Sequence, residues 1–186
     1  MTVSEKDKNL STVRLVLEPL LPSHAAALFA GYDDDRMWRF MPSRHRPASV
    51  AELEQRFTRY VARKSPDGLQ TWLNYAVRDK RGQYVGWVQA TIEGTQAMVG
   101  YSIFADHWRQ GYGAEACAEL ICCLVREYYV EDIVATVDTG NVASIRLLET
   151  LGFIRVWTGA SEDMPGCTDH RYEFHPPNVP GAARAL

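Results

Sequence analysis

No run of this 186-residue chain is apolar over the roughly 20 residues that a membrane-spanning helix needs. The opening M-T-V-S-E-K-D-K-N-L is polar and lacks the apolar centre of a signal peptide. Cysteine is scarce, and none of Cys117, Cys122, Cys123 and Cys167 forms a C-x-x-C pair. His24, His45, His107, His170 and His175 stand at no spacing that would join them to the cysteines, so no metal is expected. Three of the cysteines fall close together in one predicted helix. They read as buried free thiols in a reducing, cytoplasmic setting. A basic excess is also missing: 20 Lys and Arg face 23 Asp and Glu, for a net charge of −3. That argues against a nucleic-acid partner and mildly suits a cationic one. Neither a repeat nor a linker divides the chain. A single domain over residues 13–175 is expected, between flexible tails at 1–12 and 176–186.

What is present is a succession of strands and helices. Val13–Glu18 alternates apolar and polar residues and reads as a strand ended by Pro19. Ser23 caps a helix that Gly31 stops. Tyr32–Pro47 is irregular and rich in aromatics and arginines. Ser49 caps a second helix with Leu53, Phe57, Tyr60 and Val61 at helical spacing. Trp72–Arg78, Tyr84–Ile92 and Ala97–Phe104 then form a meander around the turns Asp79–Gly82 and Glu93–Thr95. A helix from Gly111 to about Tyr128 buries Ala114, Cys117, Ala118, Ile121, Val125 and Tyr128. Ile133–Asp138 reads as a buried strand. Asn141 opens a short helix that ends at a left-handed Gly152. Phe153–Thr158 and His170–Phe174 close the chain as a strand pair.

The densest signal is Trp108–Glu115, W-R-Q-G-Y-G-A-E, between a strand and a helix. Gly111 and Gly113 let the backbone approach a ligand, and the first-turn N–H groups with the helix dipole favour a phosphate. A P-loop is excluded, because Ala114 and Glu115 follow Gly113 where Lys and Ser or Thr are required. Gly111, Gly113 and Ala116 fit a dinucleotide fingerprint loosely. The motif, however, follows a meander past the middle of the chain, and Asp132 precedes its strand rather than ending it.

A second block lies downstream: Asn141-Val142-Ala143-Ser144, running on to Gly152-Phe153. Together the two blocks resemble the GNAT acetyltransferase superfamily, whose loop is written Q/R-x-x-G-x-G/A and whose later block is N-x-x-S or N-x-x-A before G-F. Trp108 stands at the first loop position. An aromatic there is frequent in the branch of ribosomal-protein alanine N-acetyltransferases and their small-molecule relatives, which this chain resembles most. The resemblance covers about Val13 to Phe174. It implies an α/β (α+β) fold: a mixed, mostly antiparallel sheet of about seven strands, about four flanking helices, and a splayed parallel strand pair forming an acyl-CoA wedge.

The resemblance further implies acetyl-CoA as cosubstrate and direct transfer to a primary amine in a ternary complex. The pyrophosphate would lie on Arg109, Gln110, Gly111, Tyr112, Gly113 and Ala114. Pantetheine would pair with main-chain groups of Ile103, Phe104 and Ala105. Asn141 serves as a pantetheine or water ligand, as a helix N-cap, or as both. Many relatives carry a Tyr acid at the position of Leu148, which cannot act, so Ser144 becomes the candidate acid; its alternative is a hydroxyl bonded back to its own helix. Glu93, Asp106, Asp138, Asp169 or water remain open as the base. Trp38 and Phe40 would line the acceptor pocket or pack on the sheet, and Asp33, Asp34 and Asp35 would attract an amine or form a solvated turn. The acceptor is expected to be a small cationic amine, with a protein N-terminus or a non-catalytic acyl-CoA sensor as the alternatives. A homodimer is compatible with the family.

Overall fold

Alternation of apolar and polar residues gathers the strands into one sheet, because each can bury one side against helices while its neighbours satisfy the backbone. The computed structural model describes residues 8–177. Its strands are β1 (Leu10–Ser11), β2 (Leu15–Pro19), β3 (Thr71–Asp79), β4 (Tyr84–Glu93), β5 (Gln96–Ile103), β6 (Asp132–Asp138), β7 (Ile154–Ala160) and β8 (Thr168–Phe174). The helices are α1 (Ala25–Tyr32), α2 (Val50–Tyr60), α3 (Tyr112–Tyr128) and α4 (Val142–Thr150). The sheet order is β1-β2-β3-β4-β5-β6-β8-β7, and β5–β6 is the parallel pair among these neighbours. This is the expected mixed sheet with one strand more than the seven foreseen. The extra strand is β1, inside the stretch read as a tail: Leu10 pairs with Leu17 and Ser11 with Val16. Residues 1–7 and 178–186 of the expected tails lie outside the described residues.

Two cores form, one on each face. Leu15, Leu17, Leu73, Tyr75, Val77, Val88, Ala97 and Val99 meet α3 and α4 through Ala116, Leu120, Leu124 and Leu148. Leu28, Leu53 and Phe57 of α1 and α2 meet Ala76, Phe104 and Ala105 on the other face. The buried side of α3 is Gly113, Ala116, Cys117, Leu120, Cys123 and Leu124, rotated from the face expected. The smaller residues Ala114 and Ala118 lie half-buried beside it, because α3 also packs against α4. Cys122 is exposed and Cys167 partly so, against the expectation that the thiols are all buried.

Gly31 corrects another expectation. It lies inside α1 rather than ending it, and a Cβ there would sit 2.4 Å from the Phe104 ring. It is glycine to admit an aromatic, not to break a helix. Pro19 does end β2, as its last residue, opposite Tyr75.

Candidate functional site

The turn before α3 has the geometry of an anion cradle. Arg109 and Gly111 both adopt left-handed backbone, with φ of 60° and 77°. The first helical bond runs from the Glu115 N–H to the Gly111 carbonyl at 3.1 Å. Tyr112, Gly113 and Ala114 therefore have no intrahelical acceptor. None of the N–H groups from Arg109 to Ala114 has a hydrogen-bond acceptor among the described residues. The two glycines serve different ends. Gly111 is required by its φ. Gly113 is buried, and a Cβ on it would lie 2.8 Å from Leu147 Cδ1, so it permits α3 to approach α4.

A residue 97 positions before Gly111 (111 − 14) completes the cradle. The Arg14 guanidinium donates to the Gln110 carbonyl at 2.8 Å and to Glu115 Oε2 at 2.6 Å, and lies 4.9 Å from the Tyr112 ring centroid. Its Nη2 lies 3.2 Å from the position a Gly111 Cβ would take. Glu115 also accepts from the Arg14 N–H and the Thr12 hydroxyl. Burial works against the ionised carboxylate, but the hydrogen bonds from Thr12 and Arg14 outweigh it and hold Glu115 below its ordinary value of 4.5. The only sequence signal for this clasp is an acidic residue in the first turn of α3; nothing near the motif points to Arg14.

The parallel pair opens next to this cradle. β5 and β6 are in register only at Gln96–Asp132, Ala97–Ile133 and Met98–Val134. Beyond that, β5 stays paired with β4 out to Ile103 and β6 with β8 out to Asp138. The two strands thus part company while each keeps its outer partner, which leaves a gap. The Phe104 N–H donates to the Val85 carbonyl at 2.9 Å. Given the antiparallel alternation, Ser102 then faces β4 with both main-chain groups, and Val99, Tyr101 and Ile103 turn theirs to the gap. That shifts the expectation for Ile103, Phe104 and Ala105. Phe104 N–H is taken by β4, the Phe104 and Ala105 carbonyls accept from His107 and Trp108, and the Ile103 carbonyl accepts the Trp108 indole at 2.6 Å.

On the far wall, Asn141 caps α4 through Oδ1, which accepts the Ser144 N–H at 3.2 Å. Ser144 Oγ lies 2.6 Å from the Tyr101 hydroxyl on β5. Burial pushes the Tyr101 phenol above its usual range, so it stays protonated at neutral pH. Tyr101 is absent from the residues anticipated, although the same alternation that buries Val99 places it toward α4. Burial also pushes the Cys117 thiol up, and Cys123 up to about 11, so neither is a thiolate nucleophile.

The segment expected to roof the acceptor is tied down internally. The Trp38 indole donates to the Tyr32 carbonyl at 2.7 Å, and Trp38 packs against the second core. Phe40 reaches the mouth of the gap, its ring 3.2 Å from where a Gly140 Cβ would be. Arg46 pairs with Asp33 and Asp35, and Arg36 with Asp34 and Asp106. Each of these aspartates is thus ion-paired to an arginine. Asp138 accepts the Gly140 N–H at 2.7 Å and faces Asp169 across the β6–β8 ladder. Glu93 accepts from Gln70 at the closed end of β5. No cluster of His, Cys, Asp or Glu suited to a metal occurs among the described residues, and no helix there is long and apolar enough to cross a membrane.

Comparison with known proteins gives one family. Residues 14–154 match the acetyltransferase (GNAT) domain. An uncharacterized N-acetyltransferase, YoaA of Bacillus subtilis (strain 168), is 24% identical over 144 residues, covering 77% of this chain and 81% of its own. The ribosomal-protein-S5-alanine acetyltransferase of Vibrio fischeri superposes with a TM-score of 0.78 at 17% identity, over 91% of this chain and 97% of the other. RimL, a ribosomal L7/L12 alpha-N-protein acetyltransferase solved in complex with coenzyme A, gives a TM-score of 0.80 at 15% identity, over 90% and 98% of the two chains.

Proposed function

Because the chain belongs to the acetyltransferase (GNAT) family, we propose that it moves an acetyl group from acetyl-CoA to a primary amine by direct transfer in a ternary complex. The catalytic unit is residues 13–175, with β1 added at its edge. The observation that carries this reading is the gap between β5 and β6, opening beside six N–H groups that have no acceptor among the described residues. Those donors, from Arg109 to Ala114, suit a pyrophosphate, and Arg14, paired with Glu115, braces the turn that carries them. The main chain of Tyr101 and the Ile103 N–H suit the extended, amide-bearing pantetheine, as an added strand would. Asn141 keeps its side-chain NH2 for the same arm. Acetyl-CoA supplies the thioester whose C–S bond is replaced by a C–N bond.

Ser144 donates a hydrogen bond to the departing sulfur, and Tyr101 holds the Ser144 hydroxyl in place. With Glu93 held by Gln70, Asp106 by Arg36 and Asp138 by the Gly140 N–H, the proton of the acceptor leaves to solvent. A covalent acetyl-cysteine route is disfavoured by the buried, protonated Cys117 and Cys123. Trp38 acts as a packing residue on this reading, and Phe40 bounds the mouth.

Calorimetric titration with acetyl-CoA tests the reading. The folded wild type should bind in the micromolar range. Gly111→Val should lose binding while keeping its circular dichroism, because a β-branched residue resists positive φ. A folded wild type that binds no acetyl-CoA overturns the proposal.

A further inference from the structure

α1 and α2 cover only part of their face of the sheet. Beside them lies a solvent-open recess of about 300 Å³, lined by Tyr60, Gln70, Trp72, Asn74, Gln89, Ala90 and Thr91. That volume is at the lower end of the range of small-molecule sites, about 300–1,000 Å³. Strand alternation builds it. Leu73, Tyr75, Val88 and Ala90 belong to the α3–α4 core, so Trp72, Asn74, Gln89 and Thr91 turn the other way. The register sets Trp72 opposite Thr91 and Asn74 opposite Gln89. Tyr60, at the end of α2, closes one wall.

The polar groups of the recess are unequal. Gln70 is used on both sides: its Oε1 accepts the Trp72 indole at 3.1 Å and its Nε2 donates to Glu93 at 3.2 Å. Asn74 and Gln89 have no side-chain hydrogen-bond partner among the described residues. Each amide offers an NH2 and a carbonyl, and the two stand side by side on neighbouring strands. No charged side chain lines the recess.

The recess also meets the gap. Gln89 pairs with Gly100 of β5, and its Nε2 lies 3.1 Å from the position a Gly100 Cβ would take. Gly100 is two residues past Met98, where β5 and β6 separate. Gly100 thus sets the Gln89 end of the recess against the strand that borders the gap.

Resting on the acetyltransferase reading, we propose that this recess is the acceptor site and that Asn74 and Gln89 select an amine flanked by an uncharged amide, as in an amino-acid amide or a peptide N-terminus. One amide carbonyl accepts from the amine, and the neighbouring NH2 donates to the carbonyl beside it. Tyr60 and Trp72 wall a short side chain. Glu93 is held by Gln70 at the rim and no carboxylate lines the recess itself, so a polyamine's second cation is unmatched inside it, which a partly desolvated site disfavours.

Nitrogen-15 NMR of the full chain tests this directly. The Asn74 and Gln89 side-chain NH2 signals are assigned by their loss in Asn74→Asp and Gln89→Glu. Saturating the protein with coenzyme A and titrating alanyl-alanine amide should shift both signals, and spermidine should leave them in place. Gln89→Leu should weaken the response to the dipeptide amide by about tenfold with acetyl-CoA affinity unchanged. Gly100→Val should stop acetyl transfer to the dipeptide amide while acetyl-CoA still binds. Shifts with spermidine alone, or none with the amide in a protein that binds acetyl-CoA, overturn the recess assignment and leave the acetyltransferase reading standing. Failure to bind acetyl-CoA removes both.

Discussion

On the α3–α4 side of the sheet the candidate cofactor site is made of main chain; the recess on the α1–α2 side is made of side chains. The cradle from Arg109 to Ala114 and the edge of β5 at Tyr101 and Ile103 depend on φ, register and close helix packing. Asn74 and Gln89 depend on what their side chains are. A ligand common to many enzymes can be held by backbone that every sequence possesses, whereas an acceptor peculiar to one enzyme has to be read by side chains. Substitutions on the first side should act through geometry and those on the second through identity.

The contrast is broken most severely at Gly113. Gly113→Leu forces a side chain into Leu147, which lies 2.8 Å from the Cβ position. Overpacking of this kind costs about 1–3 kcal/mol, and acetyl-CoA binding should vanish with it; thermal denaturation and calorimetry read the two losses. A variant with wild-type stability and affinity would show that the cradle tolerates movement of α3. Ser144→Ala sharpens the contrast, since it alters chemistry on the backbone side. We expect kcat to fall about 100-fold, within the range for a lost acid, with acetyl-CoA affinity unchanged. Tyr101→Phe should lower kcat by roughly tenfold, and adding it to Ser144→Ala should cost little more, because the two hydroxyls act as one unit. Additive losses would separate Tyr101 from Ser144.

Acidification probes the clasp more gently. The folded-state value of Glu115 lies below its ordinary 4.5. Its contribution is therefore complete above that value and lost as pH falls through the lowered one. The stability that Glu115 lends the fold should be level above about pH 4.5 and fall below it in thermal denaturation, while Glu115→Gln should be less stable and flatter over that acidic range. An identical profile in the variant would exclude Glu115 as the titrating group. The smallest effect is expected for Thr12→Val, about 1 kcal/mol or less of stability from one lost hydrogen bond.

Much of the frame was legible because it is local. Periodicity gave β3 to β6, and Asn141 and Gly152 marked the two ends of α4; in the structure they are its N-cap and a left-handed residue with φ of 89°. Gly31 misled because a helix-ending residue and a residue that makes room for Phe104 look the same in one dimension. Trp38 was legible as an aromatic, but whether its indole served a ligand or the Tyr32 carbonyl was not. The three aspartates could attract an amine or form a solvated turn, and the sequence did not show that Arg36 and Arg46 pair with them.

By itself the sequence determined the glycine turn, the helix it opens and the alternation that gives each strand a buried side, since these follow from φ preferences and spacing within about ten residues. Tertiary structure alone decided that Arg14 reaches Gln110 and Glu115, that Tyr101 meets Ser144, and that Asn74 stands beside Gln89 and Gly100. Those contacts join residues far apart in the chain. They are fixed by strand register and by where β5 and β6 separate, quantities that no local pattern of residue types encodes.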